Sequence, residues 1–471
     1  MTLVAGVDSS TQSCKVVIRD LETGDLVRHG TARHPEVTEV DPEAWWQALG
    51  EAIASAGGLD DVSAISIGGQ QHGMVVLDHE GRVIRPALLW NDTRSAAEAT
   101  EIAEHFGAED IARVTGSLPV ASFTSTKLLW LRKNEPDNAA RVAAVALPHD
   151  WLSWRLAGFG PAGESERGPD LSALATDASD ASGTGYFSPA TNQYVPAVVE
   201  FVLGHVPVLP RIVAPGEVAH TTTSGLLIGC GAGDNAAAAL GVGAGSGDVV
   251  VSLGTSGTVF AVSETYTADP TGTIAGFASA SGSALPLVCT LNAARVLDSF
   301  ARLFEVTHDE LGLLALEAEP GADGIVLLPF FEGERTPNLP DATAQISGLT
   351  LGNNTRANLA RAAIEGMLCG LGAGLDALRT AGVARSRIFL VGGAAANPAV
   401  AQIAAEIFGL PIIVPAPGEY VANGAATQAA SLLLGHAPTW ELEVISTTSR
   451  PKVESISHAY ARVLAEFSAT P

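Results

Sequence analysis

The sequence predicts an α/β protein made of two similar halves, and three observations carry that reading. Apolar runs of strand length alternate with amphipathic stretches of helical period along most of the chain. A strand-turn-strand unit with a Ser/Thr-rich turn opens the chain, and a second unit of the same plan begins near residue 249. The length, 471 residues, also exceeds what one ordinary hydrophobic core fills.

Taken in order, residues 3–7 read as a short buried strand, 8–13 as a polar turn and 15–19 as the returning strand, ended by Glu22-Thr23-Gly24-Asp25. Asp41-Pro42 supplies a helix cap with proline at the first helical position, and Trp45, Leu49 and Ile53 recur at helical spacing up to Gly57-Gly58. The apolar run 62–67 ends at Gly68-Gly69, and helices are expected through 96–105, 127–132 and 151–156. The stretch 158–172, rich in Gly, Pro, Ser and acidic residues, reads as a surface loop. In the second half, strands over 249–253 and 258–262 flank a new turn. A helix over 357–378, a strand over 388–391, a helix over 398–408, a strand over 411–414 and a helix over 422–434 follow. The expected organisation is two domains, 1–244 and 245–471, around a central cleft, each pointing one polar turn inward.

Composition excludes several function classes. Acidic residues number 51 against 26 basic ones, a formal net charge of −25, which makes nonspecific binding to a phosphate backbone unfavourable. Charged residues are only 16% of the chain while 47% are apolar, so it is a folded globule and not a disordered acidic solute. The longest uncharged stretch, 275–294, is broken by Gly, Ser, Pro and Asn and would make a poor membrane span. No basic leader precedes Asp8, which disfavours secretion. Cys14, Cys230, Cys289 and Cys369 show no CxxC spacing and suit reduced structural thiols in a cytoplasmic protein.

A protein this acidic must bind a triphosphate through Mg²⁺ and the backbone N–H groups of tight turns. Two turns qualify: Asp8-Ser9-Ser10-Thr11-Gln12-Ser13, which adds a carboxylate for the metal, and Gly254-Thr255-Ser256-Gly257. Each could equally be a plain hairpin. Neither matches GxxxxGK[ST], and no GxGxxG opens a helix after a strand. In Ile228-Gly229-Cys230-Gly231-Ala232-Gly233-Asp234-Asn235, Asp234 reads either as a helix cap or as a general base cleared for a ligand by three glycines. Gly69-Gln70-Gln71-His72-Gly73 and Trp90-Asn91-Asp92 end apolar strands, where α/β proteins place ligand contacts. Their amides, imidazole and carboxylate suit the hydroxyls of a polyol, and Trp90 offers a flat wall to its C–H faces. The alternative for His72 is a satisfied, partly buried histidine.

These residues resemble the FGGY carbohydrate kinases. Ser122-x-Thr124-x-x-Lys127-Leu128-x-Trp130-Leu131 is similar to the family's first signature. Ala344-x-Ile346-x-Gly348-Leu349 with Asn358-Leu359-x-x-Ala362-Ala363-Ile364-Glu365 is similar to the second. Gln70-Gln71-His72-Gly73 looks like the segment of the members that act on D-xylulose, where those acting on glycerol carry Gln-Arg-Glu. Leu147-Pro148-His149-Asp150 and Ser179-Asp180-Ala181-Ser182-Gly183-Thr184 also resemble family stretches.

The resemblance implies the duplicated actin/hexokinase-like ATPase fold and ATP-dependent phosphorylation of D-xylulose to D-xylulose 5-phosphate. It implies Asp234 as general base, with Gln71, His72, Asp234 and Asn235 on the ketose and Asp8 on Mg²⁺. Thr11, beside Gln12 and Ser13, and Gly254-Thr255-Ser256-Gly257 would surround the ATP phosphates, while Gly392-Gly393-Ala394 and Asn397 border the adenosine. The chain departs from many relatives at Ala394-Ala395-Ala396, where a polar or basic residue is common. A ketose and ATP are the expected partners, with no nucleic acid or membrane, and a homodimer stays open. Competing readings are a kinase of the same family acting on ribulose or a related polyol, a non-catalytic member of the ATPase fold, and a sugar sensor.

Overall fold

A computed structural model of the chain describes residues 1–469. They form two compact units. The first comprises Met1–Gly243, Glu264–Leu285 and Gly418–Glu441; the second comprises Ala244–Ser263, Pro286–Pro417 and the chain from Leu442 onward. The first crossing thus falls beside residue 244, and two segments of the later half fold back into the first unit.

In the first unit, β1 (Leu3–Ser9), β2 (Ser13–Asp20) and β3 (Leu26–Arg33) form an antiparallel meander. Helix α1 (Pro42–Ser55) follows, started by the Asp41 side chain accepting from the Glu43 N–H. It leads to β4 (Val62–Gly69), which runs parallel to β1 with Val7 opposite Ile67 and Ser9 opposite Gly69. Leu227–Ile228 adds a further parallel partner on the far side of β4. Strand β3 was not expected. Its polar Arg28, His29, Thr31 and Arg33 alternate with few buried positions, so the apolar signal of a strand is weak there. Helices α2 (Thr124–Asn134), α3 (Pro148–Leu156) and α4 (Asp234–Gly241) complete the part of this unit that bears on function.

The second unit repeats the plan. Strands β5 (Asp248–Leu253), β6 (Gly257–Ala261) and β7 (Ala284–Thr290) are antiparallel neighbours. Helix α5 (Arg356–Thr380) precedes β8 (Arg387–Val391), which is parallel to β5 with Ser252 opposite Val391. Helix α6 (Pro398–Phe408) and the parallel β9 (Ile412–Pro415) follow, and β10 (Val444–Thr448) closes the edge. Three antiparallel strands followed by two parallel ones, in the same spatial order in both sheets, confirm the duplication read from the two turns.

The second family-like signature has a structural task here. Arg361 of α5 is buried and bonds Glu365 at 2.6 Å and also Glu406 of α6, while Glu365 accepts the Gly321 N–H at 2.9 Å.

β1 is buried on both faces, as a strand inside a covered sheet must be. Leu3, Ala5 and Val7 pack with Trp45 and Leu49 of α1 and with Trp151 and Leu152 of α3. Val4 and Gly6 face the other way, against helix α7 (Tyr420–Leu434), which the chain contributes from its later half. A Cβ on Gly6 would lie 1.9 Å from the Ala422 carbonyl oxygen. Where α7 crosses α4, a Cβ on Gly424 would lie 1.9 Å from the Ala237 carbonyl, and one on Gly241 1.9 Å from that of Tyr420. The small-residue face of α7 therefore lets backbone touch backbone, and α4 is wedged into place beside β4.

The 158–172 loop is tied to the surface by the Arg82–Glu164 ion pair and by the Trp154 indole donating to the Asp170 carbonyl at 2.9 Å. The four cysteines form no disulfide. Among the described residues, no helix is long and apolar enough to cross a membrane.

Candidate active site

In an α/β sheet the loops after adjacent parallel strands lie side by side, and that edge collects the ligand-binding groups. At this edge of the first unit the turn after β1 and the loop after β4 are neighbours, because Ser9 pairs with Gly69. The short strand Ala232–Gly233 pairs with Gly68 and Gly69 and delivers Asp234 as the first residue of α4. The helix cap itself is Gly233, so Asp234 is not spent on capping.

Asp234 Oδ1 accepts from the Asn235 N–H at 2.7 Å and from Asn235 Nδ2 at 2.9 Å, while Oδ2 takes no hydrogen bond from the described residues. The residue keeps some open surface, yet protein encloses its carboxyl. That dehydration, reinforced by the nearby Asp8 carboxylate, pushes its pKa up to about 7 against the pull of Asn235. Asp8, next to last in β1, is buried and accepts from the Ser10 hydroxyl. Burial pushes it up to about 6, Ser10 and Lys15 oppose the shift, and Lys15 is itself paired with Glu419 at 2.6 Å. Two dehydrated carboxylates, the charge of Asp8 raising the proton affinity of Asp234, with the neighbouring lysine already paired, make a donor set suited to a hard divalent cation.

The Gln71 side chain packs against Gly233, the residue before Asp234, and His72 follows it in the loop after β4. The Gln71 amide donates to the Ser179 carbonyl at 3.1 Å. His72 has φ 71°, an unusual backbone for a residue with a side chain, and its Nδ1–H donates to the Gly183 carbonyl at 2.6 Å. Its ring stacks on Phe123 at 5.0 Å and tilts against Phe277 at 5.9 Å. The His72 carbonyl accepts from Lys127 Nζ at 2.8 Å and Thr124 Oγ1 at 3.2 Å, so the first signature holds this strained loop residue in place. Gln70 is buried with neither end of its amide bonded.

The other predicted residues of this unit separate into two groups. The Trp90 indole donates to the Thr11 hydroxyl at 2.8 Å and leaves the half-buried ring to offer its faces. Gln12 is exposed and Ser13 begins β2. Asn91 is exposed, whereas the buried Asp92 is engaged by Arg94, through Nε and Nη2 at 2.9 Å each. Despite its burial that pairing holds the Asp92 carboxyl below its usual range.

In the second unit the equivalent edge carries Gly254-Thr255-Ser256-Gly257 after β5 and Gly392-Gly393 after β8. Thr255 and Ser256 are exposed, as are both glycines of the second pair. Gly392 has φ 96° and a Cβ there would lie 2.5 Å from the Leu253 carbonyl, so these two loops touch and only glycine fits. Ala394 is buried. Asn397 is committed locally: it caps α6 by accepting from the Ala399 N–H at 3.0 Å and donates to the His308 carbonyl at 2.7 Å.

Residues 3–253 match the N-terminal domain of the FGGY family of carbohydrate kinases, and residues 249–433 match its C-terminal domain. The chain belongs to the FGGY family of carbohydrate kinases. It is 44% identical over 473 aligned residues to a xylulose kinase of Streptomyces rubiginosus, covering 96% of this chain and 93% of that one. It is 43% identical over 469 residues, with the same coverage, to a xylulose kinase of Streptomyces coelicolor. The crystal structure of xylulose kinase from Bifidobacterium adolescentis superposes with a TM-score of 0.92 at 47% identity, covering 98% of this chain and 99% of that one. The duplicated sheets are those of the actin/hexokinase-like ATPase fold.

This FGGY kinase holds a further group that the residue types alone did not reveal. His149, at the start of α3, is buried with Nδ1 2.6 Å from Asp180 Oδ2 and Nε2 3.2 Å from the Cys230 carbonyl and 3.3 Å from Asp150 Oδ1. Burial disfavours its charge, but Asp150 and Asp180 outweigh that and push its pKa up to about 10. The ligand atoms of His149, Asp150 and Asp180 lie within 4.8 Å of one another, as a metal site would require. A proton on each ring nitrogen, however, satisfies all three contacts and leaves no lone pair for a metal. The stretches 147–150 and 179–184 carried a signal only as family-like segments.

Proposed function

We propose that this kinase transfers the terminal phosphoryl group of ATP to the terminal hydroxyl of D-xylulose, giving ADP and D-xylulose 5-phosphate, with Asp234 as general base. The observation that carries the reading is the Asp234 carboxylate: one oxygen is held by Asn235, the other takes no hydrogen bond from the described residues, and the Gln71 side chain packs against Gly233, the residue before it. The names of three of its relatives, xylulose kinases at 43–47% identity, support the choice of sugar.

In this mechanism Asn235 fixes the carboxylate and Oδ2 accepts the hydroxyl proton as that oxygen attacks the phosphorus and the bond to ADP breaks. A base with a pKa of about 7 is matched to neutral pH, since about half of it is ionised there and the ionised form is still basic. Gln71 and His72 provide directional polar groups for the sugar, and Trp90 provides an apolar wall. Asn91 and Asp92 are the weaker sugar contacts proposed, one exposed and the other bound to Arg94. For the nucleotide we assign Thr11, Gln12 and Ser13 in the first unit and Gly254, Thr255, Ser256, Gly257, Gly392, Gly393 and Ala394 in the second. Asn397 would act there only through its cap. Asp8 would hold Mg²⁺, whose charge offsets that of the transferring phosphoryl group.

The test is ADP production from Mg·ATP with D-xylulose, D-ribulose, L-ribulose, L-xylulose and glycerol. D-xylulose is expected to lead, and Asp234→Asn to lower kcat by about 10²- to 10⁴-fold while ATP binding holds. Preference for another acceptor overturns the sugar. Near-normal turnover by the variant overturns the base, and silence across the panel favours a sugar sensor.

A further inference from the structure

We infer that the helical turn Ala178–Ala181, locked from below by the His149–Asp180 pair, is the positioning element that sets both the base Asp234 and the sugar-binding residues Gln71 and His72. This rests on the proposed role of Asp234.

The turn, with Gly183 just beyond it, is joined by separate hydrogen bonds to Gln71, to His72 and to Gly233, the residue before Asp234. The Ser179 hydroxyl accepts the Gly233 N–H, one residue before Asp234, at 3.1 Å. The Ser179 carbonyl accepts the Gln71 amide at 3.1 Å, and the carbonyl of Gly183, just beyond the turn, accepts His72 Nδ1–H at 2.6 Å. The turn is itself fixed at its start by Asp177, which accepts from the Ser179 N–H at 2.9 Å and the Asp180 N–H at 3.0 Å. A four-residue helix has too few internal bonds to hold such a register alone.

His149 supplies the missing anchor. It grips Asp180 on one side and, through Nε2, the Cys230 carbonyl on the other. Cys230 begins the Gly231-Ala232-Gly233 run that carries Asp234, so one imidazole spans the turn and the base-bearing strand. Contact between them is direct: a Cβ on Gly231 would lie 2.1 Å from His149 Cδ2. The pair itself is fully buried, and Asp234 repels Asp180 from the site side. A buried charge pair of this kind contributes little net stability but resists any displacement that would separate its partners. His149 and Asp180 are therefore positioning residues: neither is assigned to sugar or nucleotide, and both act through Ser179 and Cys230.

The test uses the full-length chain with His149→Gln, Asp180→Asn, the double variant and the milder Ser179→Ala, which leaves the ion pair intact and serves where the buried variants fold poorly. Displacing a base by about 1 Å typically costs on the order of 10²-fold. Losses of about 10- to 100-fold in kcat are expected for the first two, and about 3- to 10-fold for Ser179→Ala. The KM for ATP and the sugar-independent ATPase rate are expected to stay unchanged. The double variant should be no worse than the poorer single, because the two residues act as one unit.

Crystal structures of the variants read the same point whatever sugar the wild type prefers, and displacement of the Asp234 carboxylate is expected. A kcat within twofold of wild type beside a lowered melting temperature, additive losses, or an Asp234 that superposes on the native position overturns the proposal. Failure of wild type on D-xylulose alone overturns only the choice of sugar.

Discussion

At the residue scale, Asp234 combines catalytic fitness with a stability cost. Its carboxyl has an ordinary value of 3.8 unfolded and about 7 folded, so between those values the folded chain holds a proton that the unfolded chain has released. The stability this provides is full below about pH 4 and is lost as pH rises through 7. Asp234→Asn is therefore expected to melt higher than wild type at pH 8 and equal to it near pH 4, in Mg²⁺-free buffer by calorimetry. The acid limb of kcat/KM should fall near pH 7, the free-enzyme value of the base. Lys127 is the opposite case. Its amine is buried, and dehydration drives it well below the usual lysine range, with Asp92 opposing. Its two hydrogen bonds, to the carbonyls of His72 and Ser122, hold the left-handed His72. Lys127→Met would strip both donors and is expected to raise the sugar KM by about 10-fold, leaving that for ATP unchanged. Equal KM values for wild type and variant would refute that role.

At the element scale, the placement of α4 depends on glycine as much as on apolar residues. Gly424 and Gly241 let α7 and α4 meet backbone to backbone, and Gly6 does the same between β1 and α7. Gly424→Ala introduces a methyl 1.9 Å from the Ala237 carbonyl, which must push the helices apart. A loss of about 1–3 kcal/mol is expected from overpacking, read as a lower denaturant midpoint, together with a reduced kcat because α4 carries Asp234. An unchanged midpoint would show that the crossing relaxes freely. Periodicity located most of these elements: α6 occupies the 398–408 window, and α1 starts at the cap read from Asp41-Pro42. It failed on β3, whose outward residues are basic and polar, and on the dipeptide strand Ala232–Gly233, which is too short to show any period.

At the scale of the whole molecule, the two compact units are not continuous stretches of the chain. Gly418–Glu441 belongs with the first 243 residues, because α7 covers the face of β1 and β4 that α1 and α3 do not. A fragment ending at residue 243 would leave Val4, Gly6 and Ala64 facing water. It is expected to aggregate or bind hydrophobic dye and to show no cooperative melt, whereas adding residues 418–441 in trans should restore a transition. A sharp melt for the fragment alone would mean that this face needs no cover.

What the sequence determined by itself was local or repeated. The doubled strand-turn-strand plan shows in residues 3–19 and 249–262 because hydrophobic period and turn composition are written within a few residues of each other. The candidates at the sheet edges, Asp8, Gln71, His72 and Asp234, were legible because strand ends are. Only the tertiary structure decided which of these side chains remain open to a ligand. It engaged Asp92 with Arg94 and Asn397 with a helix cap, freed one oxygen of Asp234, and put His149 against Asp180 and Cys230. Those outcomes turn on partners far apart in sequence and on burial that raises or lowers a proton's affinity. Neither quantity exists along a chain until it has folded.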